Sequence, residues 1–192
     1  MRGALCAAIL ALSVAAPVAA QDRLSYVETL ALGERSVQYI SRPNGEAVLR
    51  VDGRAIISSN RYRESPSFYG LYAVFELPDR WLVLLGYSTG GMVCDSSYRI
   101  ASIFKTRPTV AVTPMFAKCV PSAYAAQVGD RVQIGFSNGF MRAEVYEYRK
   151  ARMVRIEPSA YFPKSAFSIV DNRELESRRT ITRERIEFPG RP

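Results

Sequence analysis

The feature that most constrains this chain is a run of five apolar residues, 81–85, made of tryptophan, valine and three leucines. These side chains suit a buried β-strand, and the run is too short for a buried helix of ten or more residues. Residues 86–91 follow as a predicted turn, because their glycines allow a sharp reversal. Strand patterns resume at 98–104 and 109–113, so we expect the chain to be organised around residues 79–119.

Short strand patterns flank this centre on both sides. Asp52-Gly53 and Asn138-Gly139 are dipeptides typical of two-residue hairpin turns. Segments that alternate apolar and polar side chains, or that are rich in aromatic residues, surround both turns. The predicted strands outside the centre are 36–40, 47–51, 55–57, 68–77, 131–136 and 140–148.

Two segments depart from the strand pattern. Residues 58–67 are polar and contain Pro66, which predicts a loop. Residues 121–128 begin at a proline, follow an irregular pattern and have room for one short turn of helix. The predicted fold class is mostly β: an antiparallel meander that forms a sandwich or a strongly curved sheet, with little helix.

The first twenty residues have the pattern of a secretory signal peptide. Residues 1–3 are basic, residues 4–16 are apolar and uncharged, and small side chains precede a cleavage site after Ala20. The apolar run is too short to span a bilayer comfortably. We therefore expect a periplasmic or secreted protein that keeps no membrane span after the signal is cleaved.

The rest of the chain suits one domain with a charged end. Residues 1–20 are the signal, and residues 21–170 are long enough to bury the core of a single β-rich domain. Residues 171–192 carry many charges of both signs. They are expected to form a charged C-terminal tail with room for one short exposed helix.

Cysteine usage agrees with export. Cleavage removes Cys6 and leaves Cys94 and Cys119, which have one possible pairing in an oxidising compartment. A Cys94–Cys119 disulfide would contribute roughly 3.5 kcal/mol by chain-entropy reasoning; two free buried thiols are the alternative. Two cysteines in a chain without histidine do not fill a tetrahedral metal site, so we expect no metal and no cofactor.

The net charge of +8 favours anionic neighbours. For an exported protein these are phospholipid, lipopolysaccharide or an acidic envelope protein, and nucleic acid is not expected. A basic surface that only maintains solubility is the alternative. The best candidate for an anionic-ligand patch is the set Arg149, Lys150, Arg152 and Arg155, because arginine forks suit phosphates and carboxylates. The competing interpretation is a solvated strand end or linker.

Motifs for nucleophilic catalysis are incomplete. Residues 86–90 match the G-x-S-x-G pattern of serine hydrolases. A nucleophilic Ser88 would need a base, usually histidine, and Cys94 would need a histidine to become a thiolate. The chain contains no histidine. We therefore predict no catalytic residue, and we interpret Ser88 as part of a glycine-rich turn.

Carboxylates leave one enzymatic alternative open. Glu144 and Glu147 cannot share one face of a regular strand, because their separation is odd. A pair could still assemble from positions that are distant in sequence, as glycosidases require. The alternative function is thus a hydrolase that acts on envelope polymers through carboxylates.

The centre of the chain carries a resemblance. Gly90-Gly91-Met92-Val93-Cys94, then Tyr98-Arg99-Ile100, then Phe116-Ala117-Lys118-Cys119 resemble uncharacterised exported proteins of Gram-negative bacteria with a Gly-Gly-x-x-Cys and a later Phe-Gly-x-Cys segment. Ala117 stands where that pattern has glycine. The resemblance covers about the central third of the mature chain. It implies export, a disulfide and a β-rich fold, and it implies no activity.

These observations predict a non-catalytic envelope protein. We expect the exported chain to bind an envelope partner or an anionic ligand, with the carboxylate hydrolase as the alternative. An enzyme should have a deep pocket with converging polar groups and perturbed carboxylates. The structure therefore has to be searched for such a pocket as well as for the basic patch.

Overall fold

The computed structural model describes residues 25–63, 66–88, 97–117, 122–137, 144–156, 167–168 and 173–184. These residues form strands and one short helix. In chain order the elements are β1 (Ser25–Leu32), β2 (Arg35–Ser41), β3 (Glu46–Val51), β4 (Arg54–Asn60), β5 (Ser67–Glu76), β6 (Arg80–Ser88), β7 (Ser97–Phe104), β8 (Val110–Val112), β9 (Ser122–Val128), β10 (Arg131–Ser137), β11 (Glu144–Arg149), β12 (Arg152–Ile156), β13 (Phe167–Ser168), α1 (Arg173–Arg178) and β14 (Arg179–Glu184).

The strands form three sheets. The first sheet has the order β14-β1-β2-β3-β4, the middle sheet β5-β6-β7-β8, and the third sheet β12-β11-β10-β9-β13. Neighbouring strands are antiparallel in each sheet. The mostly β, antiparallel fold class is confirmed, and the arrangement is that of a sandwich.

The middle sheet contributes to two hydrophobic cores. Trp81, Val83 and Leu85 of β6 pack in one core with apolar residues of the first sheet. Leu82 and Leu84 pack in the other core with apolar residues of the third sheet. Successive side chains of a strand point to opposite faces. The five-residue apolar run is continuous because β6 is buried on both faces.

Strand β6 extends further than the sequence predicts. Gly86, Tyr87 and Ser88 belong to the strand, although they were expected to begin a turn. A Cβ atom on Gly86 would lie 2.4 Å from Cε2 of Tyr72, so the glycine is needed for close packing of that ring. The turn prediction was wrong at these three positions because glycine can mark a close approach as well as a reversal.

Strand β9 replaces the helical turn predicted at 121–128. Ala123 and Ala125 are buried in the core against the middle sheet, while Tyr124 between them is exposed. This is the two-residue period of a strand. Alanine has low strand propensity in general, but its small side chain fits a tightly packed sheet face. The loop prediction at 58–67 was also too long, since β4 continues to Asn60.

The chain segments at both ends of the described range join the first sheet. Strand β1 was not predicted; it pairs with β2 and with β14. The charged segment 171–192 contains the short helix α1 and then β14, which is an edge strand. Charged side chains are common on edge strands because they discourage further pairing. A high charge density therefore concealed a strand in the expected tail.

Candidate functional site

The predicted basic patch lies on the hairpin of β11 and β12. Arg149 ends β11, Arg152 begins β12, and the two residues are directly paired across the hairpin. Lys150 and Ala151 form the turn with φ values of 47° and 63°. Positive φ at both central residues is characteristic of a type I′ turn. The hairpin thus places Arg149, Lys150 and Arg152 side by side at one end of the third sheet.

Arg155 is separated from the other three cations. It lies three residues after Arg152, so its side chain belongs to the opposite face of β12. Its guanidinium forms an ion pair with Glu144, with Nη2 and Oε1 3.2 Å apart. The four predicted residues are therefore not one patch. Pairing with Glu144 compensates the charge of Arg155.

A buried carboxylate lies beside the remaining cations. Glu147 is 4% exposed. It accepts hydrogen bonds from Nε of Arg149 at 2.5 Å and from Nε2 of Gln133 at 2.9 Å. These contacts, with a smaller contribution from the charge of Arg131, lower the pKa of Glu147. Glu147 is thus held ionised and oriented by its neighbours.

Arg131 is the residue that the sequence reasoning missed. It begins β10 after the Gly129-Asp130 turn. In an antiparallel order β12-β11-β10-β9, the β9–β10 turn and the β11–β12 turn lie at the same end of the sheet. Strand order, which the sequence did not supply, was needed to find this neighbour. We name Arg131, Arg149, Lys150 and Arg152 the basic rim.

A cavity of about 770 Å³ lies next to the basic rim. Its walls include residues 77–80 of the β5–β6 turn on one side and Arg131, Glu147, Arg149 and Lys150 on the other. Asp79 and Arg80 form an ion pair with each other. Arg131, Arg149 and Lys150 of the rim therefore border a concave surface of the size that small-molecule sites have.

A second cavity, of about 550 Å³, opens between the first sheet, β5 and α1. Four tyrosines line it: Tyr26 and Tyr39 from the first sheet, and Tyr69 and Tyr72 from β5. Tyr26 and Tyr39 contact each other edge to face, with ring centroids 6.1 Å apart. The hydroxyl of Tyr72 donates a hydrogen bond to that of Tyr69 at 2.5 Å. We name this cavity the tyrosine pocket.

Two carboxylates and one guanidinium share the tyrosine pocket. Glu28 of β1 is 3% exposed, and its Oε1 lies 3.5 Å from Nη1 of Arg179. Arg179 also forms an ion pair with Glu176 of α1 through Nη2. Burial raises the pKa of Glu28, and the charge of Arg179 offsets only part of this effect. No sequence motif marks this group, because β1, α1 and β14 were not predicted to meet.

Other predicted site residues are placed only in part. Ser88 ends β6, and its side chain is half-buried. Residues 89–96 and 118–121 lie outside the described residues, so Cys94, Cys119 and their disulfide remain a prediction. Across the described ranges, histidine, cysteine, aspartate and glutamate side chains form no group of three that could hold a metal ion. In the same ranges no helix is long and apolar enough to cross a membrane.

The chain matches no protein-family model, no curated protein and no solved structure. The basic rim and the tyrosine pocket therefore have to be interpreted from their own geometry.

Proposed function

We propose that the protein is an exported, non-catalytic periplasmic protein that binds an anionic component of the envelope through the basic rim. The signal-peptide pattern and the resemblance to exported Gram-negative proteins support the export. Ala117 has φ +49°, a conformation that favours glycine, at the position where the resemblance expects glycine. This agreement also supports the relationship.

One observation carries the binding proposal. Arg131, Lys150 and Arg152 are exposed and form no ion pair with any carboxylate in the described part of the chain. Arg149 forms an ion pair with Glu147, and Asp130 is a second carboxylate that lines the same cavity. The four cations of the rim therefore face two carboxylates. An anion would meet an excess of positive charge beside a concave surface.

The hairpin makes this charge excess available to a ligand. Arg149 and Arg152 are paired across the hairpin, and like charges in this position are destabilising. Glu147 offsets only one of them. A phosphate or carboxylate group that bridges the two guanidinium groups would relieve the repulsion and form charge-assisted hydrogen bonds. The predicted ligand chemistry is thus a phosphate-bearing or carboxylate-bearing envelope component.

Vesicle binding at several salt concentrations tests the proposal. The probe is a phosphatidylethanolamine vesicle with and without phosphatidylglycerol, mixed with the mature chain. Binding should require the anionic lipid and should weaken as salt rises, because exposed charges are screened over about 8 Å at physiological salt. The double variant Lys150→Gln/Arg152→Gln should bind more weakly and show a flatter salt dependence.

A matched variant removes the same charge elsewhere. Arg54 and Arg63 are exposed residues of the first sheet and of the turn after β4, so Arg54→Gln/Arg63→Gln lowers the net charge equally. This control should keep most of the binding. Equal losses in the two double variants would show that net charge alone drives association, and the basic rim would not be a site.

A carboxylate hydrolase is the second candidate, and the tyrosine pocket is what favours it. Glu28 and Glu176 line one cavity, and the raised pKa of Glu28 suits a general acid. Against this, Arg179 contacts both carboxylates. Release of soluble fragments from purified peptidoglycan by the wild type, and its loss in Glu28→Gln, would support hydrolysis; no release would count against it.

A further inference from the structure

The tyrosine pocket contains a buried acceptor that the protein does not satisfy. Oε1 of Glu28 is inaccessible to solvent and accepts no hydrogen bond among the described residues; its nearest cationic atom is Nη1 of Arg179, at 3.5 Å. A buried charged group without a hydrogen-bond donor is costly. Such a group is rare in a native fold unless a ligand, an ion or an ordered water satisfies it.

The charge balance of the pocket indicates the sign of that ligand. Glu28 and Glu176 share one guanidinium, that of Arg179. When both carboxylates are ionised, the three groups carry a net negative charge. An anion would be repelled, and a neutral ligand would leave the charge uncompensated. A cation would restore neutrality and lower the electrostatic cost of burying Glu28.

The walls of the pocket suit a cation as well. Tyr26 and Tyr39 present aromatic rings beside Glu28, and tyrosine faces attract an ammonium group through their quadrupole. The ring of Tyr72 occupies the space that a Cβ atom on Gly86 would need, and it packs edge to face against Tyr69 and Tyr98. Leu175 of α1 is 4% exposed and contributes an apolar part of the wall. The cavity is therefore preorganised and within the volume range of small-molecule sites.

We propose that the tyrosine pocket binds a small ligand through a primary ammonium group, which donates a hydrogen bond to the carboxylate of Glu28 and packs on the rings of Tyr26 and Tyr39. A quaternary ammonium group fits less well, because it has no N–H to donate to the carboxylate. This site is distinct from the basic rim in position, in charge and in ligand class, so either can exist without the other.

Four butyl compounds that differ only in the head group test the proposal by NMR. The probes are 1-aminobutane, butyltrimethylammonium, 1-butanol and pentanoate, titrated into the ¹³C-labelled mature chain. 1-Aminobutane should produce saturable shifts of the Glu28 carboxyl carbon and of the Tyr26 and Tyr39 rings. Butyltrimethylammonium should bind more weakly, and 1-butanol and pentanoate should give no saturable shift.

Variants connect the binding to the proposed contacts. Glu28→Gln keeps the side-chain shape and should weaken 1-aminobutane binding by about tenfold or more, the loss expected for a hydrogen bond to a charged group. Tyr26→Leu removes one ring and should weaken binding by about threefold or more. Glu34→Gln removes the same charge from the exposed β1–β2 turn and should bind as the wild type does.

Each other outcome overturns the assignment. No saturable shift with 1-aminobutane would show that the pocket takes no ammonium ligand. Equal binding of 1-butanol would indicate an apolar cavity without charge selection. Equal binding of butyltrimethylammonium would show that the aromatic rings alone bind the cation and that no hydrogen bond is needed. Unchanged affinity in a folded Glu28→Gln protein, or equal weakening in Glu34→Gln, would remove Glu28 from the site.

Discussion

At the scale of single residues, two buried glutamates are held in opposite ways. Burial raises the pKa of Glu28, whereas hydrogen bonds from Arg149 and Gln133 lower the pKa of Glu147. Both carboxylates are almost fully buried. The difference lies in the donors: Glu147 accepts two hydrogen bonds, while Oε1 of Glu28 accepts none. Relative to a neutral side chain, ionised Glu28 therefore opposes folding and ionised Glu147 favours it.

Replacing each glutamate by glutamine should change stability in opposite directions. A raised folded-state pKa means that stability falls as pH rises from the ordinary value of 4.5 towards the raised one. Glu28→Gln should thus stabilise the chain at pH 7 and leave it unchanged well below 4.5. Arg179 keeps its contact with Glu176 in this variant. Urea unfolding at both pH values measures the effect.

Glu147→Gln provides the matched comparison. A lowered pKa contributes stability above the ordinary value, and that contribution is lost as pH falls through the lowered pKa. The variant should lose about 1 kcal/mol at pH 7, because the partner Arg149 is half exposed and screened. The loss should fade in acid. Two variants that shift the unfolding midpoint in the same direction would contradict this account.

The turn between β11 and β12 contains an alanine whose backbone conformation is strained. Ala151 has φ +63°, a left-handed conformation that costs an L-residue about 1 kcal/mol. Ala151→Gly should therefore raise the free energy of unfolding by about 0.5 kcal/mol, after the extra backbone entropy of glycine is subtracted. Ala55→Gly in β4, where no positive φ is required, should lower it instead. Thermal unfolding of both variants checks the contrast.

At the scale of elements, the sequence predicted strands where burial dominates. The run in β6 was recognisable because both of its faces are buried, and the Asp52-Gly53 hairpin was recognisable because its turn requires positive φ at both residues. β9 and β14 were missed because alanine and charged residues are poor strand formers on their own. These two segments are strands because they pair with other strands of their sheets, and this pairing cannot be read from the residues of the segment alone.

A buried side chain of the middle sheet should contribute far more to the stability of the protein than a side chain on an edge strand. Leu84 is fully buried in β6, whereas Val154 of the edge strand β12 is 40% exposed. Leu84→Ala should cost about 2–5 kcal/mol through lost burial and the cavity that remains. Val154→Ala should cost less than about 1 kcal/mol. Denaturant unfolding compares them; similar losses would show that β6 is not the shared centre of the two cores.

At the scale of the whole molecule, the two candidate sites are built on different sheets. The tyrosine pocket is built from the first sheet, β5 and α1, and the basic rim from the third sheet. The middle sheet packs in both cores, so it couples their stability. The sequence suggested the rim from local charge, but the pocket needed β1, β5 and α1 to come together. Local patterns therefore predicted part of the rim and none of the pocket.

The predicted disulfide would reinforce this central region. Tyr98 and Phe116 exchange two backbone hydrogen bonds, at 3.0 and 2.9 Å. Cys94 precedes Tyr98 and Cys119 follows Phe116 by a few residues. Only a short length of chain therefore connects Tyr98 to Cys94 and Phe116 to Cys119. Such short connections favour pairing of the two thiols.

We expect the exported mature chain to contain one Cys94–Cys119 bridge. Alkylation without reductant should add no mass, and reduction should lower the free energy of unfolding by about 3.5 kcal/mol, because the unfolded chain regains the entropy of an open loop. In the Cys94→Ala/Cys119→Ala variant, reductant should have no effect on stability, which separates the bridge from other effects of the reagent. If both cysteines of the oxidised wild type were alkylated, the chain would hold two free thiols, and its three sheets would owe their stability to burial alone.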